Sequence, residues 1–110
     1  MSVTRIVRRR RAERDIDEAA EHYFEEGGVA LELRFIDALE VAMRYVAAHA
    51  STGSPRYAVE LNLPGLRFWP VKRFPYLIFY VEHDDCIDVL RVLHGAMNIP
   101  AWMTQADDGG

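Results

Sequence analysis

Five basic residues in the second half of the chain have the types that phosphate chemistry needs: Arg67, Lys72, Arg73, Arg91 and His94. Arginine and lysine hold phosphate oxygens, and a histidine titrates near neutrality, so it can give or take a proton. Cleavage of RNA by its own 2′-hydroxyl calls for that combination: a base for the hydroxyl, cations for the phosphate, an acid for the leaving oxygen. The same residues also fit a plainer role, as solvated sheet residues or as partners of Glu60, Asp84, Asp85 and Asp88. By strand parity Arg91 shares a face with Ile87, Val89 and Leu93, which suits a structural arginine spanning a sheet. Other signatures are missing from the sequence. It has no Gly-rich phosphate loop, no H-E-x-x-H and no G-x-S-x-G, and His22, His49, His83 and His94 are scattered. A lone cysteine, Cys86, excludes an internal disulfide and a cysteine-rich zinc site. No metal and no cofactor is expected.

The elements that must position these residues follow from periodicity. Residues 3–8 alternate weakly and predict a short N-terminal strand. Ile16, Ala19, Ala20, Tyr23 and Phe24 then fall at helical spacing, with acids at 13, 15, 17 and 18 in the first turns. Gly27-Gly28 ends that helix, and a second is predicted over about 29–49, with a stripe of Leu33, Ile36, Leu39, Met43, Val46 and Ala47. Together they make an αα-hairpin. Residues 51–65 read as a loop, with Leu63-Pro64-Gly65 as a turn. Three strand-like runs follow: Leu66–Lys72, Tyr76–Glu82 and Cys86–His94. Pro70 suits the first to a sheet edge, and the second, apolar on both faces, belongs at the centre. His83-Asp84-Asp85 is a hairpin turn, so the three runs form an antiparallel meander. The expected class is α+β: N-terminal strand, αα-hairpin, three-stranded antiparallel meander.

The chain has 110 residues, 50% of them apolar, which is one domain's worth of sequence with enough apolar matter for a core. No apolar run approaches the roughly 18 residues of a spanning helix, so no membrane partner is expected. The net charge of −4 hides an uneven distribution. Residues 1–11 carry +5, and residues 12–49 carry −7. Arg8–Arg11 could serve as a nucleic-acid arm, but ten acids lie between residues 12 and 49, and pairing with acids is the favoured reading. Trp102 and Met103, after Pro100, are expected to fold back on the core. The acidic helices and compact sheet invite a partner segment, helical or extended, in a groove against the hairpin and the sheet edge. Basic residues on that partner would suit the acidic helices.

The element order, together with Leu63-Pro64-Gly65-Leu66-Arg67, Pro70-Val71-Lys72-Arg73-Phe74-Pro75-Tyr76-Leu77-Ile78-Phe79-Tyr80 and Ile87-Asp88-Val89-Leu90-Arg91-Val92-Leu93-His94-Gly95, resembles the RelE/ParE superfamily of bacterial toxins. These are the toxin halves of type II toxin–antitoxin pairs, and this chain is more like the ParE branch. Ala12-Glu13-Arg14-Asp15-Ile16, opening the first helix, is similar too. The resemblance covers roughly residues 3–101. It implies a helical hairpin on a small antiparallel sheet, in one domain over residues 1–104; the polar end of the chain at 105–110, closing in Asp-Asp-Gly-Gly, is itself expected to be a disordered tail. It implies a cytoplasmic toxin neutralised by a cognate antitoxin, with plasmid stabilisation as the role. The ParE branch poisons DNA gyrase without a chemical step of its own, so no direct nucleic-acid specificity is expected. The RelE branch cuts mRNA in the ribosome with basic residues and often a C-terminal tyrosine; here Arg67, Lys72, Arg73, Arg91 and His94 fall on the superfamily's basic positions. Two departures stand out. No tyrosine follows Tyr80, which argues against RelE-type ribonuclease chemistry. Where many relatives carry a basic–acidic pair before Ile-Pro, this chain has Ala96-Met97-Asn98. The alternatives to a gyrase poison are therefore a ribosome-dependent mRNA endoribonuclease and a degenerate, non-toxic homologue that binds only an antitoxin.

Overall fold

A computed structural model describes residues 5–103. Along it run β1 (Arg5–Arg8), α1 (Arg10–Ala48), a 3₁₀ turn (Ala50–Thr52), β2 (Leu66–Pro70), β3 (Tyr76–Glu82), β4 (Cys86–His94) and α2 (Ile99–Met103). Of the expected first strand, Val3 and Thr4 lie outside the described residues, as does the expected disordered tail at 105–110.

The helical hairpin is present as two arms of α1, hinged where Gly27 (φ −148°, ψ 17°) and Gly28 (φ 74°, ψ −166°) leave helical geometry. Gly28 occupies a region that side chains bearing a Cβ rarely enter, so glycine permits the reversal. The arms do fold back on each other. Tyr23 and Phe35 would lie about 18 Å apart along an unbroken helix, yet their ring centroids are 5.1 Å apart. Apolar spacing drives this packing. Ala12, Ile16, Ala19 and Ala20 are buried on the first arm, and Phe35, Leu39, Ala42, Met43, Val46 and Ala47 on the second. The predicted second stripe is corrected at its start. Leu33 is 54% exposed, and the fully buried Phe35 replaces it as the anchor, against Tyr23, Phe74 and Tyr76.

The sheet is four-stranded, in the order β1-β4-β3-β2. The meander is as expected, with β3 antiparallel to both β2 and β4. β2 lies at the edge, and it stops at Pro70 rather than Lys72. β1 pairs in parallel with β4, from Arg5↔Cys86 to Arg8↔Val89, which makes the sheet mixed. Leu63-Pro64-Gly65-Leu66 forms the turn into β2, with Gly65 at φ 84° and the Leu66 N–H donating to the Leu63 carbonyl at 3.1 Å. Proline second and glycine third is the sequence such a turn favours.

Both faces of the sheet are covered. The α1 hairpin packs on one through Ile16, Leu39, Met43 and Val46 against Ile78, Tyr80, Ile87, Val89 and Val92. The other face, centred on Leu66, Phe79 and Leu93, is covered by Tyr57, Ala58 and Leu61 of the long loop and by Ile99, Trp102 and Met103. The folding back of Trp102 and Met103 matches expectation. The double cover explains why β3 is apolar on both faces.

Candidate functional site

The five basic residues do not converge. Arg67, on β2, donates from Nη1 to the Gly53 carbonyl at 2.7 Å and so ties the long loop to the sheet. Lys72 and Arg73 are exposed in the turn between β2 and β3, where Arg73 sits at φ 73°. His94 ends β4, edge-on to Tyr76, with Nδ1 accepting the Ala96 N–H at 3.0 Å.

Arg91 is consumed by structure. Its Nε donates to Asp15 Oδ2 at 2.7 Å and its Nη2 to Oδ1 at 3.0 Å, with both side chains 6% exposed. Nη1 donates to the Trp102 carbonyl at 2.7 Å. The structural reading of Arg91 therefore holds, but its predicted parity needs correction. The register shifts so that Tyr80 faces Val89 while Phe79 faces Arg91, leaving Leu90 as the extra residue of a bulge. Past the bulge Val92, not Arg91, joins Ile87 and Val89 beneath α1.

The arginine run at 8–11 is also a set of structural pairs where its partners are defined. Arg8 meets Glu40 at 2.7 Å, and Arg9 grips Asp88 through Nε at 3.1 Å and Nη2 at 2.9 Å. Burial alone would raise the Asp88 carboxyl, but the hydrogen bond and charge of Arg9, with His83 behind them, hold it below its ordinary value. Elsewhere burial pushes the phenols of Tyr23, Tyr76 and Tyr80 up. Neighbouring acids add to this at Tyr23 (Glu26) and at Tyr76 (Asp15 and Glu18). These phenols stay protonated at neutral pH and act as packing and hydrogen-bonding groups. The Tyr80 hydroxyl, for example, donates to the Ala50 carbonyl at 2.6 Å.

Ala96-Met97-Asn98 has a local role. The Asn98 side-chain oxygen accepts the Ala101 N–H at 3.3 Å, and its carbonyl accepts the Trp102 N–H at 3.1 Å, so Asn98 caps α2. Among the described residues no group of three or more His, Cys, Asp or Glu side chains is placed to hold a metal.

A groove runs between the second arm of α1 and β2, on the hairpin and sheet-edge side where a partner segment is expected from the sequence. One basin of about 330 Å³ is lined almost wholly by apolar atoms, with Val41 and Tyr45 on the helix and Trp69 and Pro70 on the strand. The Tyr45 and Trp69 rings stack at 4.7 Å. A second basin of about 500 Å³ adjoins it, sharing Ala38 and Lys72, and reaches Arg34 and Arg73. Val41 and Tyr45 lie outside the predicted stripe of the second helix, and only the observed phase of that helix shows them exposed at the groove.

A model of the family described as ParE toxin of type II toxin-antitoxin system, parDE, matches residues 6–99. The curated protein Toxin ParE3 of Caulobacter vibrioides is 28% identical over 99 residues, covering 90% of this chain and 94% of that one. A solved structure described as the chromosomal ParDE TA system from P. aeruginosa superposes with a TM-score of 0.69 at 21% identity, covering 84% of this chain and 96% of that chain.

Proposed function

This chain belongs to the ParE toxin family of type II toxin–antitoxin systems, and we propose that it inhibits DNA gyrase and is neutralised by a cognate antitoxin. The observation that carries this reading is the family match across residues 6–99, nearly the whole described chain. The geometry supports a toxin acting by binding rather than by its own chemistry. A ribonuclease of the RelE kind needs cations and a proton carrier around one phosphate. Here Arg91 is locked to Asp15, Arg67 to Gly53, and His94 accepts a backbone N–H. The groove along α1 and β2 is the surface we assign to the antitoxin, because it leaves apolar side chains open beside an otherwise covered sheet.

The test is a topology assay with purified chain, gyrase, supercoiled plasmid and ATP, resolved after protease treatment. Linear DNA accumulating with dose is the expected result. Unchanged topology at large excess, together with new mRNA ends on translating ribosomes, would replace gyrase by the ribosome as the target. Unchanged topology without such ends, and harmless overexpression, would leave an antitoxin-binding homologue.

A further inference from the structure

A separate hollow lies where the first arm of α1, the end of β4 and α2 meet, and it shares no lining residue with the groove described above. Asp15 and Glu18 line it from α1, Tyr76 from β3, Leu93 from β4, and Met97 and Trp102 from the chain that follows. Its volume is about 140 Å³. Sites for drug-sized ligands run to roughly 300–1,000 Å³. This one has room for a single side chain, not for a helix or a nucleobase with its sugar.

Charge at the hollow is left unbalanced. Arg91 and Asp15 answer each other, with the third prong of Arg91 on the Trp102 carbonyl. Glu18 remains, an exposed carboxylate in no ion pair with a described residue. The adjoining turn, Gly95-Ala96-Met97-Asn98, brings no cation. His94, edge-on to Tyr76, accepts the Ala96 N–H at Nδ1 and is neutral in that geometry. The Tyr76 hydroxyl makes no hydrogen bond to a described residue. Burial pushes its phenol up, and the charges of Asp15 and Glu18 push it further, as a negative field at that oxygen requires.

These groups select among occupants. An anion would meet Glu18 unscreened. A guanidinium is held best by a carboxylate fork, and the buried fork here, Asp15, is filled by Arg91 and by the Val92 N–H. An ammonium is a compact charge with three donors, which suits two separate acceptors, the Glu18 carboxylate and the Tyr76 hydroxyl. The Tyr76 and Trp102 rings attract a cation as well. Leu93 and Met97 offer apolar surface to a methylene stem.

We propose that this hollow is a binding site for a lysine side chain presented by a partner protein, with the ammonium between Glu18 and the Tyr76 hydroxyl and the stem against Leu93, Met97 and Trp102. It gives a place to the basic partner that the acidic helices invite in sequence. The site goes beyond the gyrase and antitoxin reading and does not depend on it. Because it stands apart from the groove along α1 and β2, the two surfaces can be filled at once.

The test uses the full chain at neutral pH, with NMR signals of the Met97 methyl and the Trp102 indole N–H as reporters. Three small probes are titrated: Nα-acetyl-lysine methylamide, its norleucine counterpart (the same stem without the ammonium) and its arginine counterpart. The lysine probe is expected to shift both signals and to bind about fivefold more tightly than the norleucine probe. Glu18→Gln should remove most of that preference. Glu21→Gln makes the same change of charge at an acid outside the hollow and should leave the preference intact. Both acids are exposed, so the thermal melts of the two variants should match that of the native chain. Equal binding of the lysine and norleucine probes, tighter binding of the arginine probe, a loss no greater in Glu18→Gln than in Glu21→Gln, or no shift at Met97 and Trp102 overturns the proposal. The probes need neither gyrase nor antitoxin, so the result is independent of the topology assay.

Discussion

Asp15 and Arg91 lie 76 positions apart in sequence and close a two-pronged ion pair at the margin of the sheet where β1 ends. Asp15 does more than neutralise the arginine. Its Oδ2 also accepts the Val92 N–H at 3.0 Å, on the side of β4 that β1 no longer reaches. A helix side chain thus supplies the acceptor that a longer strand would have supplied, and Arg91 carries the link on to α2 through the Trp102 carbonyl.

Removing one partner of this pair should cost far more than removing both. Asp15→Ala leaves a buried guanidinium and an unmet N–H, and a loss of about 3–5 kcal/mol is expected. Asp15→Leu with Arg91→Met should recover a large part of that loss. Urea unfolding of the single and double variants checks it, and strictly additive losses would refute the pairing.

The hinge glycines should differ in the way they fail. At Gly28 a Cβ meets nothing within 4 Å, but φ is +74°, so Gly28→Ala should cost about 1–3 kcal/mol through backbone strain alone. At Gly27 a Cβ would lie 2.9 Å from the Leu31 side chain. Leu31→Ala removes Cδ2 but keeps Cβ, also at 2.9 Å, so it should relieve Gly27→Ala in part and leave Gly28→Ala unrelieved, as thermal melts of the two double variants will show.

Gly53 is bound to Tyr80. A Cβ there would overlap the Tyr80 hydroxyl and approach Arg67 Cβ at 3.1 Å. Gly53→Ala is expected to destabilise by about 1–3 kcal/mol through overpacking. In the Tyr80→Phe background the penalty should shrink, since the hydroxyl is the nearest obstacle. A double-mutant cycle with no coupling would reject this geometry.

Acid should loosen the start of the fold through Asp88. Its carboxyl titrates below the ordinary value in the folded chain, so the Arg9 contact adds stability above the unfolded pKa of about 3.9. That stability is lost as pH falls through the folded value. The pair is partly exposed, so Arg9→Ala should cost only about 0.2–1 kcal/mol at pH 7. Carboxyl NMR titration should show Asp88 moving up in that variant, and an unmoved Asp88 would deny Arg9 the role.

Much of this fold can be read from local pattern. The period change near residue 12, the glycine pair, the two strands at 76–82 and 86–94 and the edge-strand proline are all short-range signals, and each marks a real element. What sequence did not reveal is long-range. Nothing local couples Arg5–Arg8 to Cys86–Val89, nor shows that the loop and α2 cover the second face. The bulge at Leu90 was equally hidden, and it undid the parity of Arg91. The candidate site fared worst for the same reason. Five cations close in type were separated by topology, while Arg34, in an ordinary helical context, joined Lys72 and Arg73 at the groove.

The parallel pairing of β1 with β4 also sets an order of events during synthesis. Arg5–Arg8 emerges early, but its partner is Cys86–Val89, some eighty residues later. Until then α1 lacks the Ile87, Val89 and Val92 part of its floor and β1 has no neighbour, and the loop between them must close late and slowly. A ribosome making this chain therefore carries an incomplete sheet for most of each round. The finished shape arises only after β4 has been made, when β1 and the α1 hairpin gain the strand they share.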